Sequence, residues 1–294
     1  METIYLAYFL IFALGSVFGS FLNLVSDRVV SSEKIGFSRS KCDHCGKVLG
    51  YKNLFPLISF IFQKGHSACC KKQLSFYYPF SELLTGAAFL FSASYSKVIV
   101  AYSVVNALTF IYLSTALAFF IILLLADMKY HLIPDKIVYP AIITVFLFIL
   151  FLTAVDSKIY YDSLLSDSLG KYLIQAGFFK NHLILIIKRL GFMLASASLI
   201  SVFFLSLILI TKGRGMGGGD VKLGFLIGLF NGFPHNILAV FLGFLLGSLY
   251  SGFMILLNKK SLKDTIAFGP FLILGSIISF IWGQEIIFWY LNLF

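Results

Sequence analysis

The chain has 294 residues, 59% of them hydrophobic and 12% charged, with a mean hydropathy of +0.94. A soluble globular chain is nearer half apolar and a quarter charged, so this composition excludes an aqueous globular protein and reads as a polytopic membrane protein in a lipid bilayer. The net charge of +10 does not point to nucleic acid, because no basic face interleaves with exposed aromatics; an excess of Lys and Arg on cytosolic loops accounts for it.

A spanning helix needs about 20 apolar residues. Run length and breakers give eight segments: 4–25, 78–96, 99–126, 137–155, 190–211, 221–233, 236–257 and 267–291. The sixth is short and reads as a tilted or half-span helix. The expected fold is all-α, about eight transmembrane helices with a small cytosolic cysteine-containing domain between the first and second. Its expected parts are a first transmembrane helix at 1–25, the cysteine domain at 26–77 and a transmembrane domain at 78–294. Met1-Glu2 lacks a basic start, so the first apolar run reads as a retained helix rather than a cleaved signal.

The insertion 26–77 holds nine basic residues, Arg28, Lys34, Arg39, Lys41, Lys47, Lys52, Lys64, Lys71 and Lys72, against the acids Asp27, Glu33 and Asp43. That places it in the cytosol and the N-terminus outside. Eight spans then put 127–136, 212–220 and 258–266 on the cytosolic side as well, where Lys129, Lys136, Lys212, Arg214, Lys259, Lys260 and Lys263 agree. The loop 156–189 falls outside, with Lys188 and Arg189 snorkelling from an interfacial helix at 181–189.

Cys42, Cys45, Cys69 and Cys70 are the chain's cysteines, and all lie in that one insertion. In a cytosolic segment, metal binding is favoured over disulfides.

Two acids stand at the edges of apolar runs. Asp127 ends the third span, and Asp220 closes Gly215-Met216-Gly217-Gly218-Gly219 and opens the sixth. Acids in such places are costly and point to function. Taken singly, Asp220 reads more simply as a helix N-cap and Asp127 as the polar end of a span next to Lys129. The span count brings both out at the cytosolic face, where two carboxylates sharing one proton can activate water. The flanking glycines allow a tight turn and close approach of a peptide backbone. A proton-coupled transporter would instead need inverted repeats or interrupted helices in matching halves, and the sequence shows no such symmetry.

The surroundings of the two aspartates resemble a known family. Ala126-Asp127, followed by Leu132-Ile133-Pro134-Asp135-Lys136-Ile137-Val138-Tyr139-Pro140, and Gly217-Gly218-Gly219-Asp220-Val221-Lys222-Leu223 resemble the two catalytic segments of prepilin peptidases, which are GxGD-type intramembrane aspartic enzymes. Gly19-Ser20-Phe21-Leu22-Asn23 with Arg28, Ser38-Arg39-Ser40-Lys41-Cys42-Asp43-His44-Cys45-Gly46, Phe55-Pro56-Leu57-Ile58-Ser59-Phe60, Tyr78-Pro79-Phe80-Ser81-Glu82-Leu83-Leu84-Thr85-Gly86 and Ile266-Ala267-Phe268-Gly269-Pro270-Phe271-Leu272 resemble the rest, in order. The resemblance implies that Asp127 and Asp220 are the catalytic pair, with Gly217, Gly219 and Lys222 supporting the loop. It implies cleavage of prepilins or pseudopilins after a leader glycine, at the cytosolic face of the bacterial inner membrane, for pilus or secretion machinery. It also implies N-methylation of the new terminus with S-adenosylmethionine and ties Glu82 to that step. Glu82 also reads as a satisfied acid inside the second helix.

The family usually has two CxxC pairs, a structural zinc pattern. Here Cys42 and Cys45 form the first, Ser67 stands where the third cysteine belongs, Cys70 is at the fourth and Cys69 is extra. A site would use Cys42, Cys45 and Cys70, with Cys69, His66 or His44 completing it. Tyr77 replaces an arginine usual before Tyr78-Pro79. These departures leave a peptidase without methyltransferase activity as the alternative. Asn23, Arg28 and Lys222 read as lining the site or as packing and headgroup contacts, Asp135 as a turn or N-cap, and Gly15 with Gly19 as a helix-packing pair.

Overall fold

The structure, a computed structural model, describes residues 2–31, 40, 42, 44–50, 55–213, 215–259, 261 and 266–293. Ser38, Lys34, Arg39, Lys41, Lys52, Arg214, Lys260, Lys263, Glu33 and Asp43, used above for motif or orientation, lie outside the described residues. The helices are α1 (Glu2–Val30), α2 (Ile58–Phe62), α3 (Tyr77–Ser96), α4 (Val104–Tyr130), α5 (Asp135–Ser166), α6 (Gly170–Gln175), α7 (Phe178–Ile210), α8 (Gly218–Asn231), α9 (His235–Leu256) and α10 (Gly269–Leu291).

Each of the eight expected spans falls on one of these helices, and the fold is all-α. Among the described residues, α1, α4, α5, α7, α9 and α10 are long and apolar enough to cross a membrane. The protein is a multi-pass membrane protein. The other two expected spans are α3 and α8. With 14 residues, α8 rises about 21 Å, less than the ~30 Å hydrocarbon core. Polar side chains thin the hydropathy of α3, which buries Ser81, Glu82, Thr85, Ser92 and Ser96.

One expectation is corrected. The segment 156–189 is not an open loop: α5 continues to Ser166 and α7 already begins at Phe178. After Pro140 no glycine or proline interrupts α5, and its last turns pack on α7 through Tyr160–His182 and Tyr161–Phe179, with ring centroids 4.3 and 4.9 Å apart. The segment 181–189 is part of α7, not a separate interfacial helix.

The chain divides into two compact units, Met1–Tyr130 and His131–Phe294. In the first, α1, α3 and α4 pack on one another. Gly19 lets α1 approach closely, since a Cβ there would lie 2.9 Å from the Glu82 Cα, and one on Gly15 would lie 2.8 Å from the Phe89 Cβ. The pair is a packing surface, as its spacing indicates. In the second unit α8 sits in the middle, against α5, α7, α9 and α10, and buries Leu223, Leu226, Ile227 and Leu229. That central place explains how so short a helix is held.

Candidate functional site

In the first unit, Asp127 occupies the last turn of α4 and is 6% exposed. The helix ends at Tyr130 because His131 turns left-handed, with φ 51°, and Pro134 then holds the extended conformation that starts α5. Lys129, two residues past Asp127, is engaged by α1: its Nζ lies 2.8 Å from Asp27 Oδ1. The Tyr130 hydroxyl donates to the same oxygen at 2.8 Å. The ammonium also lies 5.3 and 5.2 Å from the ring centroids of Tyr77 and Tyr130. Tyr77 donates its hydroxyl to the Leu125 carbonyl at 3.3 Å, so it braces the turn that carries Asp127.

In the second unit, Asp220 is the third residue of α8 and is 8% exposed. Its Oδ2 accepts the Gly217 N–H at 3.2 Å, and its own N–H donates to the Gly217 carbonyl at 3.1 Å. It therefore closes the helix N-terminus from the N3 position rather than as the N-cap, which is Gly217. Gly219 touches the segment ahead of α5: a Cβ on it would meet Ile133 Cβ at 2.8 Å. Lys222 reaches the same neighbourhood. Its Nζ lies 2.5 Å from Asp135 Oδ1 and 5.0 Å from the Tyr139 ring centroid. The two motif stretches, 87 positions apart at the Lys222–Asp135 pair, thus fold as one piece, with Ile133, Asp135 and Tyr139 on one side and Gly219 and Lys222 on the other.

Other candidate residues join α1, α3 and the insertion. The Asn23 side-chain N–H donates to Ser81 Oγ, so Asn23 ties α1 to α3. Arg28 is buried near the end of α1. Glu82, 8% exposed, accepts the Leu57 N–H on Oε2 at 2.8 Å. Leu57 has φ 57°, a conformation uncommon for a leucine, and its N–H is held by that carboxylate.

The insertion folds into two matching turns. In the first, Cys42 N–H donates to Lys47 O at 2.9 Å and Gly46 N–H to Cys42 O at 2.8 Å; in the second, Ser67 N–H donates to Lys72 O at 2.7 Å and Lys71 N–H to Ser67 O at 2.9 Å. Gly46 and Lys71 share a positive φ, 69° and 58°. Ser67 therefore stands where Cys42 stands, and Cys70 where Cys45 stands. Even so, the sulfurs of Cys42, Cys45, Cys69 and Cys70 all lie within 4.8 Å of one another. Cys42 Sγ is 3.9 Å from Cys70 Sγ, and Cys45 Sγ is 3.2 Å from Cys69 Sγ. Tetrahedral zinc thiolates with Zn–S near 2.3 Å stand about 3.8 Å apart, so this donor set fits zinc. Cys69, not His66 or His44, joins the group; His66 Nδ1 pairs with Lys64 O at 2.8 Å and His44 Nε2 with Gln73 O at 3.3 Å. Ser67 Oγ lies 3.3 Å from Cys42 Sγ and 3.1 Å from Cys69 Sγ. Its hydroxyl, with the His44 and Cys45 N–H groups, lowers the Cys42 thiol to about 6. Beside this cluster, a cavity of about 680 Å³ is lined by His44, Phe76, Tyr77, Tyr78, Met128 and Lys129 among others.

Residues 114–252 match the family model of the type IV leader peptidase family, and residues 13–97 match that of the bacterial peptidase A24 N-terminal domain. The chain belongs to the type IV leader peptidase family. Its leader peptidase match contains both Asp127 and Asp220, and its A24 N-terminal match contains the four cysteines and Glu82. Relatives align over nearly all of the chain. A Bacillus subtilis protein named prepilin leader peptidase/N-methyltransferase is 29% identical over 97% of this chain and 98% of its own. A Pseudomonas putida protein of the same name is 28% identical over 95% and 93%, and one from Aeromonas hydrophila is 27% identical over 87% and 76%. No solved structure matches the chain.

Proposed function

We propose that this leader peptidase family member cleaves prepilins or pseudopilins after a leader glycine, at the cytosolic face of the bacterial inner membrane, with Asp127 and Asp220 as the catalytic carboxylates. The observation that carries the reading is inside the second unit. The segment following Asp127 in the chain, Leu132 to Tyr139, is packed and ion-paired onto the segment bearing Asp220. The later part of the first family motif and the whole of the second are therefore built together in this unit.

The chemistry follows from two buried acids, one ionised and one protonated. The ionised carboxylate takes a proton from water, and the hydroxide attacks the scissile carbonyl carbon. The protonated carboxyl donates a hydrogen bond to the carbonyl oxygen as charge builds there. Collapse of the tetrahedral intermediate breaks the C–N bond, and a proton passes to the departing amine. The left-handed turn at Lys212 and Gly213, with Gly215, Gly217, Gly218 and Gly219 around the single side chain of Met216, limits side-chain bulk along the loop that precedes Asp220. A leader is short and basic while the pilin segment behind it is a hydrophobic helix, so a membrane-edge site suits both parts.

We also propose N-methylation of the new terminus, with S-adenosylmethionine supplying the methyl group. The cavity beside the cysteines falls within the usual size range of small-molecule sites, and the faces of Phe76, Tyr77 and Tyr78 suit an adenine ring. Zinc held by Cys42, Cys45, Cys69 and Cys70 would fasten the two turns of the insertion together, the first of which supplies His44 to the cavity wall. Ser67 and Tyr77, which stand where the family usually has a cysteine and an arginine, favour a second reading, a peptidase without methylation. The test is co-reconstitution with a prepilin and mass spectrometry of the product. Asp127→Asn and Asp220→Asn, made separately, should each abolish cleavage; full cleavage by either ends the proposal. A product terminus lacking the added methylene establishes the second reading.

A further inference from the structure

Both proposed catalytic aspartates are followed, two positions later, by a lysine: Asp127 by Lys129 and Asp220 by Lys222. The structure treats the two lysines alike. Lys129 Nζ lies 2.8 Å from Asp27 Oδ1 and over the rings of Tyr77 and Tyr130. Lys222 Nζ lies 2.5 Å from Asp135 Oδ1 and over the ring of Tyr139. Each unit has built the same device independently, a carboxylate from another helix and a tyrosine face closing on one ammonium. Tyr130 adds a hydroxyl to the first carboxylate at 2.8 Å.

The chemistry of a shared-proton pair gives this repetition a purpose. An ammonium a few ångströms from a carboxylate favours its ionised form. A lysine free to bend toward its neighbouring aspartate would therefore leave both aspartates ionised and the carbonyl without its hydrogen-bond donor. Residues at i and i+2 of a helix face apart, which starts each lysine away from its aspartate. The flexible stem alone would not keep it there. A partner carboxylate both fixes the ammonium and cancels its charge. The titratable groups that face Lys129 are Asp27 of α1, Tyr77 of α3 and Tyr130 of α4; those that face Lys222 are Asp135 and Tyr139 of α5.

We propose that Asp27 and Asp135 are positioning residues of the peptidase, each fixing and neutralising the lysine two residues after a catalytic aspartate so that the pair retains its single proton. This rests on the proposed role of Asp127 and Asp220. It gives Lys222, read from the sequence as supporting the loop or lining the site, a partner in Asp135, and it gives Asp27 a role the motifs do not suggest.

The experiment removes the carboxylate and then the ammonium. Wild type, Asp27→Asn, Asp27→Asn/Lys129→Gln, Asp135→Asn and Asp135→Asn/Lys222→Gln are reconstituted with a type IV prepilin. Initial rates are measured over a range of prepilin densities, with Asp127→Asn as the inactive reference. Each single variant should lose tenfold or more in kcat with KM within twofold. Each double variant should recover to within threefold of wild type, because no loose ammonium remains. Single variants that keep full kcat, or doubles as impaired as the singles, overturn the proposal; the second result would make the pairs mere ties between helices. Thermal unfolding of every variant in detergent serves as the folding control, since an uncompensated lysine can also destabilise the fold; single variants that melt well below wild type in step with their loss of kcat overturn the proposal. Cleavage by Asp127→Asn would show instead that the catalytic assignment itself is wrong, and the proposal falls with it.

Discussion

Ile133 Cβ lies 2.8 Å from where a Cβ on Gly219 would sit. The contact joins the residue before Pro134 to the residue before Asp220, so the glycine is needed for approach. Gly217 differs: its backbone is extended, with φ −86° and ψ 151°, and a Cβ there would come no nearer than 3.8 Å to the Asp220 carboxylate.

The two glycines should therefore respond differently to a methyl group. Gly219→Ala overpacks against Ile133 at a cost of about 1–3 kcal/mol and should displace Asp220, lowering cleavage at least tenfold. Gly217→Ala should cleave within a few-fold of wild type. Prepilin turnover and thermal unfolding in detergent, run on both variants, check this.

Glu82 should be separable into its two parts by substitution. Glu82→Ala leaves the Leu57 N–H without its acceptor, costing about 1–3 kcal/mol, and should speed amide exchange over 55–62. Glu82→Gln keeps an oxygen for that N–H and should hold exchange near wild type. Hydrogen exchange read by mass spectrometry distinguishes the two. If methylation follows exchange across both variants, Glu82 serves that reaction by holding the Leu57 turn.

The cysteine cluster should bind one zinc per chain, and Cys70→Ser or Cys69→Ser should each remove most of it. The Cys42 thiol, lowered from 9.0 to about 6 chiefly by the Ser67 hydroxyl, stays a thiolate across neutral pH. In the metal-free fold its contribution to stability is complete above pH 9 and lost as pH falls through 6. Zinc release on acidification should follow the same direction. Ser67→Ala raises the thiol, so the pH of half-release should move upward. Metal analysis after stepwise acidification measures both.

Gly19 gives a packing test distant from the cysteines. Gly19→Leu drives a side chain into the Glu82 backbone and should unfold the first unit or part α1 from α3. Gly252, where an added Cβ meets nothing within 4 Å, should accept alanine with little change. The melting temperatures of the two variants compare them directly.

Much of this protein could be read before any tertiary contact was known. Apolar runs and breakers place the helices because a spanning helix satisfies its own backbone and needs only local sequence to form. The same locality makes Asp127 and Asp220 conspicuous, since a carboxylate beside hydrocarbon stands out in one dimension. Locality also misleads. The segment 156–189, mixed in charge, reads as a loop, yet α5 runs on to Ser166 and α7 already begins at Phe178, with ring contacts joining the two ends.

What the sequence determined by itself is the set of membrane helices, the order of the motifs and the two acids at helix ends. Only the tertiary structure decided the partners. Lys129 meets Asp27 across 102 positions and Lys222 meets Asp135 across 87. Glu82 takes the N–H of Leu57, and Cys69 rather than His66 joins Cys42, Cys45 and Cys70. The physical reason is that a side chain's partner is set by which helices pack together. Apolar periodicity specifies that a helix forms and gives no record of the residue that will face it.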